Sequence, residues 1–191
     1  DTVRRIIAET LSDVVDPLVH AEALDTIDDH RNRGHAIVIV SASGADVVEP
    51  IAQWLRADHW IASELEVDHG RYTGNITYYA HGPAKAEAMR TLAAEQGWDL
   101  GQCYAYSDSS TDIPMLEIVG NPHAVNPDSD LKQRAMAEGW PVLKWHRSVS
   151  LRERLPRIDR KTGTRIAITA VVVAVAWSWL HSRRRRAALI D

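Results

Sequence analysis

The sequence predicts an α/β protein built on a doubly wound parallel sheet, and three observations carry that prediction. Ala36-Ile-Val-Ile-Val40 is a continuous run of mostly β-branched residues, the pattern of a strand buried on both faces of a parallel sheet. Helical spacing follows at once, with Val47, Val48, Ile51 and Leu55 recurring over Ala45 to Arg56. Strand-like and helix-like segments then keep alternating to residue 145, which implies βαβ crossovers.

Taken in order, residues 2–32 read as helices. Val3, Ile6 and Ile7, then Leu11, Val14, Val15 and Leu18, recur at three and four, with a break at Pro17 and a stop at Gly34. The strand at 36–40 ends in Ser41-Ala-Ser-Gly44. Trp60-Ile-Ala-Ser-Glu-Leu65 begins a second strand, and Asp68-His-Gly70 has the chemistry of a hairpin turn. Pro83 to Gln96 is a helix with proline in its first turn and Gly97 as its stop. Cys103 to Tyr106 is a buried strand, Ile113 to Val119 a helix ended by Gly120, and Ala124-Val125 a strand closed by Asn126-Pro-Asp128. Leu131 to Glu138 is a helix ended by Gly139, and Pro141 to Trp145 a last strand.

A chain of 191 residues accommodates one domain and an appendage. A single cysteine excludes an internal disulfide framework and a cysteine-built zinc site, so a reducing compartment is expected. Residues 151–191 hold ten Arg and Lys against three acids, a net of +7; with −4 overall, residues 1–150 carry −11. So acidic a body argues against nucleic-acid binding, which needs a basic face. The basic excess flanks Ile166 to Leu180, which is free of charge. The uncharged interval between Arg165 and Arg183 is 17 residues, at the lower limit of about 17 for a membrane span. Flanking arginines can snorkel, and Trp177 and Trp179 suit an interface. The expected layout is therefore a core over 34–148 and a basic linker over 149–165. A transmembrane or membrane-anchoring helix over 166–182 and a basic tail over 183–191 complete it. The core is expected on the cytoplasmic side.

Chemistry concentrates in Tyr104-Ala-Tyr-Ser-Asp-Ser-Ser-Thr-Asp-Ile-Pro-Met-Leu116. An apolar strand delivers Asp108 and Asp112 onto a turn of small hydroxylated residues, just before a helix. Such a turn presents hard oxygen ligands to Mg²⁺ at the C-terminal edge of a sheet, where α/β proteins bind ligands. It is equally a helix cap, and spacing alone leaves both readings open. Ser41-Ala42-Ser43 follows another strand and offers a hydroxyl and amides to an anion. Lys85 opens a helix, where the helix dipole disfavours a cation.

The order of these parts resembles the haloacid dehalogenase superfamily, and most closely its phosphoserine phosphatase-like branch, subfamily IB, over about residues 35–128. Val38-Ile-Val-Ser41-Ala-Ser-Gly44 is similar to the family's second motif, Gly82-Pro-Ala-Lys85 to its third, and Ser107-Asp-Ser-Ser-Thr-Asp112-Ile-Pro-Met-Leu116 to its fourth, with Ser107 in place of the usual glycine. The resemblance implies phosphate binding by Ser41, the Ala42 amide and Lys85. It makes Asp108 a direct Mg²⁺ ligand, and Asp112 a ligand through water or an orienting residue. It also implies phosphomonoester hydrolysis through an aspartyl-phosphate. The first motif, Asp-x-Asp-x-Thr/Val, is the source of the nucleophile and has no equivalent here. Asp128-Ser-Asp130 follows the wrong strand and reads as a helix cap. Residues 1–33 accordingly read as the end of a helical cap, with the nucleophile expected upstream of Asp1 and this chain by itself expected to be inactive. Substrates implied are small phosphorylated metabolites or, given an anchor, lipid-derived phosphates.

Two other readings, one an enzyme and one a signalling domain, are weak. His123-Ala-Val-Asn-Pro-Asp128 fits the acyltransferase pattern His-x₄-Asp, but it falls on a strand and its exit turn, with no second element of that kind. A response-regulator-like domain would need a phospho-accepting Asp near the N-terminus. The non-catalytic alternative is a degenerate module of the same family that binds phosphate or a partner without turnover. Oligomeric state is not legible.

Overall fold

A computed structural model describes residues 19–147 of the chain. The expectations for the start of the cap, for the linker, for the hydrophobic segment 166–182 and for the basic tail lie outside those residues. Among the described residues no helix is long and apolar enough to cross a membrane.

Helix α1 (Ala21–Asn32) begins beside the segment that follows the last strand, where the Ala21 amide donates to the Arg147 carbonyl at 2.7 Å. Strand β1 (Val38–Gly44) leads into α2 (Ala45–Trp54). Strand β2 (His59–Asp68) then runs parallel to β1, with Val38 opposite His59 and Val40 opposite Ile61. β3 (Arg71–Tyr78) returns antiparallel to β2 through a two-residue turn at His69 and Gly70. Both turn residues have positive φ, 46° and 76°, the backbone that a tight hairpin demands.

Helix α3 (Pro83–Gln96) spans the residues its punctuation predicts and stops at Gly97, φ 70°. The second half of the domain comprises β4 (Tyr104–Ser107), a short 3₁₀ turn at Ser110–Asp112, α4 (Ile113–Leu116), β5 (Asn121–Val125), α5 (Ser129–Glu138) and β6 (Val142–Leu143). Its strands are all parallel, in the order β4-β5-β6. The largest core cluster lies here: Ala105, Met115, Leu116, Val119, Ala124, Leu131 and Ala135 are buried together, with Val40 of β1 packed against them.

Three expectations change. The described strands form two three-stranded sheets rather than one continuous sheet; the antiparallel pair that ends the first is the expected hairpin. β1 is not buried on both faces: Val38, Ile39 and Val40 are half-buried. No strand among the described residues pairs with the edge of β1 opposite β2, or with the edge of β4 opposite β5. The helix expected to reach Val119 stops at Leu116; residues 117–120 form a turn that leads to β5 at Asn121.

Helix α1 is held to the second half by His30, which is 6% exposed. Its Nδ1 lies 2.9 Å from Nδ1 of His35, and its Nε2 lies 2.9 Å from the Tyr106 hydroxyl. One proton shared between the two Nδ1 atoms satisfies that contact, whereas two imidazolium N–H groups would meet head on. Burial, with the Arg33 guanidinium, His35 and His123 nearby, holds the His30 imidazole below its ordinary value; Asp29 pulls the other way. Because the folded form keeps His30 neutral, the unfolded chain binds the proton first on acidification. The stabilisation is therefore complete above the ordinary value of 6.5 and declines as pH falls below it. Thermal melts between pH 8 and pH 5 should show this loss, and His30→Gln should flatten the profile. An unchanged profile would remove His30 from the account.

Candidate active site

The serine turn, the lysine and the acidic turn are brought together by a chain of buried contacts. Ser41 ends the regular part of β1 and is half-buried. Its Oγ accepts the Ser43 amide at 3.1 Å, which leaves the hydroxyl proton free to be donated to an anion. The Ala42 carbonyl accepts from Ser63 Oγ at 2.7 Å, and the same Oγ accepts the Ala80 amide at 3.1 Å. Ser63, 3% exposed, thus fastens the serine turn to the segment that leads into α3.

That segment turns at Gly82, whose φ of 56° with ψ of −127° is open only to glycine without strain. The Tyr78 hydroxyl donates to the Ala84 carbonyl at 3.0 Å and pins the first turn of α3. Lys85 then points inward. It is 6% exposed, and its Nζ donates to Asp112 Oδ1 at 2.7 Å. The other oxygen of Asp112 accepts from Ser107 Oγ at 2.8 Å, and Ser107 Oγ also accepts the Ser109 amide at 3.2 Å. A buried ammonium and a buried carboxylate are tolerable only when paired and hydrogen-bonded in this way.

Asp108 differs from Asp112 in every respect. It is exposed at the end of β4, and no described residue donates to its carboxylate. Asp112 has a protein donor on each oxygen, whereas Asp108 has none among the described residues. Among the described residues no group of three or more His, Cys, Asp or Glu could hold a metal ion unaided. Mg²⁺, however, is usually held by one or two carboxylates together with water and phosphate oxygens. A free Asp108 beside a neutralised Lys85–Asp112 pair fits that mode.

The hydroxyl of Ser107 and the bridging role of Ser63 are not legible in the sequence; the only hint of the latter is a serine inside the apolar Ile61-Ala-Ser63 stretch. Asp128 caps α5 through the Leu131 amide, as expected, and also reaches the acidic turn. Burial opposes ionisation of its carboxyl, yet the amides of Leu131 and Ser110 hold it below the ordinary carboxylate range.

Parallel strands β1 and β4 thus carry a serine turn and an acidic turn at their C-terminal ends, the edge of an α/β sheet at which ligands collect. Known proteins place the chain further. The haloacid dehalogenase-like hydrolase family matches the chain over residues 1–117. The chain is 50% identical over 188 residues to the inhibition of morphological differentiation protein of Streptomyces azureus, covering 96% of this chain and 68% of that protein. It is 51% identical over 170 residues to a protein of Mycobacterium tuberculosis named a probable phosphatase, covering 89% and 58%. The chain thus spans roughly three-fifths to two-thirds of these relatives' lengths. A solved phosphoserine phosphatase, described as a phospho-aspartyl intermediate analogue, superposes with a TM-score of 0.55 at 28% identity, over 69% of this chain and 60% of that one. The chain belongs to the haloacid dehalogenase-like hydrolase family.

Proposed function

We propose that the full-length protein is a Mg²⁺-dependent phosphomonoester phosphatase of the phosphoserine phosphatase-like branch, with Ser41, the Ala42 amide and Lys85 binding phosphate and Asp108 binding the metal. The observation that carries this reading is the contrast between two carboxylates four residues apart. Asp112 is buried and paired with Lys85, and Asp108 is exposed with no partner among the described residues. Helix caps alone would not call for a buried lysine.

Each side chain has a part in managing charge. The Lys85 ammonium, oriented by Asp112, neutralises phosphate oxygens; the Ser41 hydroxyl donates to another; Asp112 serves as the orienting residue, since both of its oxygens are engaged. Bound Mg²⁺ would neutralise developing charge on the phosphoryl group. An aspartate upstream of Asp1 is the proposed nucleophile: it attacks phosphorus as the P–O ester bond breaks, the leaving alcohol takes its proton from a general acid of the same motif, and water then hydrolyses the acyl phosphate to inorganic phosphate and the free carboxylate. Two facts support a further strand. The relatives are longer than this chain, and among the described residues no strand pairs with the edge of β1 opposite β2 or with the edge of β4 opposite β5. The name of the solved phosphatase supports a small phosphorylated metabolite as substrate. Residues 166–182 are proposed as a membrane anchor.

A phosphatase panel on the full-length protein tests this reading. Mg²⁺-dependent release of phosphate from at least one small ester is expected, while these 191 residues alone should not hydrolyse p-nitrophenyl phosphate. Phosphate binding without turnover by the full-length protein would favour the degenerate, non-catalytic module instead.

A further inference from the structure

Asp108 has no side-chain partner among the described residues, so the direction of its carboxylate has to be set through its backbone. One residue grips, at two points, the backbone that follows Asp108. The Asp128 amide donates to the Asp108 carbonyl at 2.9 Å, and Asp128 Oδ2 accepts the Ser110 amide at 2.8 Å. The remaining oxygen, Oδ1, accepts the Leu131 amide at 2.9 Å at the start of α5. Asp128 therefore closes the acidic turn from Asp108 to Ser110 and ties it to a ten-residue helix.

The support beneath Asp128 is rigid as well. Asn126, with φ 45°, donates through Nδ2 to the Trp145 carbonyl at 2.7 Å and accepts the Trp145 amide on Oδ1 at 3.0 Å. Its own amide donates to the Leu143 carbonyl at 3.0 Å. The exit of β5 is thus fastened to the exit of β6 on one side and to the acidic turn on the other.

We propose that Asp128 is a positioning residue for Asp108: its carboxylate, divided between α5 and the acidic turn, sets where the metal-binding oxygens are presented. The functional half of this inference rests on the phosphatase reading above. Helix capping alone does not explain an aspartate here, because Asn and Ser cap about as well. Of the three, only Asp offers two acceptor oxygens, one for each amide.

That difference supplies the test, made on the full-length protein with Asp128→Asn and Asp128→Ser, both of which retain an acceptor for the Leu131 amide. Hydrogen exchange reads the clamp directly. The Ser110 amide should exchange at least about tenfold faster, while the Leu131 and Lys132 amides keep their protection. Mn²⁺ binding, followed by water-proton relaxation, should weaken about tenfold, the lower end of what loss of an outer-shell partner produces in metal sites. Unchanged exchange at Ser110, or loss of protection at Leu131 equal to that at Ser110, would overturn the proposal in favour of a plain cap. So would unchanged Mn²⁺ affinity. Failure of the phosphatase reading looks different: Mn²⁺ binding would still depend on Asp128, but no phosphate ester would be turned over. Turnover with the same Mg²⁺ requirement in both variants would leave the phosphatase standing and remove Asp128 from it.

Discussion

Asp108→Asn in the full-length protein is expected to lower kcat/KM for a phosphomonoester by roughly 10²–10³-fold, the scale on which loss of one electrostatic group acts at an active site, with no change in melting temperature. The two halves of this expectation have one cause. Asp108 is exposed and has no donor among the described residues, so the fold does not use its charge. A metal would use it, because a neutral amide oxygen is a much poorer ligand for a hard dication than a carboxylate. Raised Mg²⁺ should therefore restore part of the lost rate. Full activity in the variant at low Mg²⁺ would contradict the assignment, and a large fall in stability would return Asp108 to a structural role.

Lys85→Met is expected to act in the opposite place. It should destabilise the fold by about 3–5 kcal/mol, the range for removing one partner of a buried ion pair. The side chains of Lys85 and Asp112 are 8% and 10% exposed, so the orphaned carboxylate would have little water to turn to. Ser107 would still donate to one oxygen, which favours the lower part of that range. Adding Asp112→Leu to Lys85→Met should recover much of the stability and none of the activity, since a packed apolar pair replaces a buried ionic one. Urea unfolding of the two single variants and the double variant gives the coupling. Additive losses would mean that the 2.7 Å contact contributes little.

Lys85 shows how a residue can be legible for a reason that only the fold explains. A cation at a helix start opposes the helix dipole, and that local anomaly marked it. What offsets the anomaly is Asp112, 27 residues away in sequence. Ser63 carried no comparable mark. A serine in a strand is unremarked until its hydroxyl is found between the Ala42 carbonyl and the Ala80 amide. Asp128 was visible only as a cap, because the amide that takes its second oxygen belongs to an element 18 residues earlier. The separation of the strands into two sheets was not visible either. Ala36 to Val40 has the composition of a central strand whether or not a neighbour is present to cover it.

The sequence by itself determined the alternating elements, their punctuation at Gly97 and Gly139, and the order serine, lysine, paired aspartates that marks the family. Those are local properties: side-chain period, turn chemistry and the spacing of a few polar residues along the chain. Only the tertiary structure decided that Asp112 is spent on Lys85 and Ser107 while Asp108 is left open. The reason is physical. A carboxylate's role is set by which donors reach it and how much water it keeps, and both depend on residues that are remote in the chain and adjacent only in the fold.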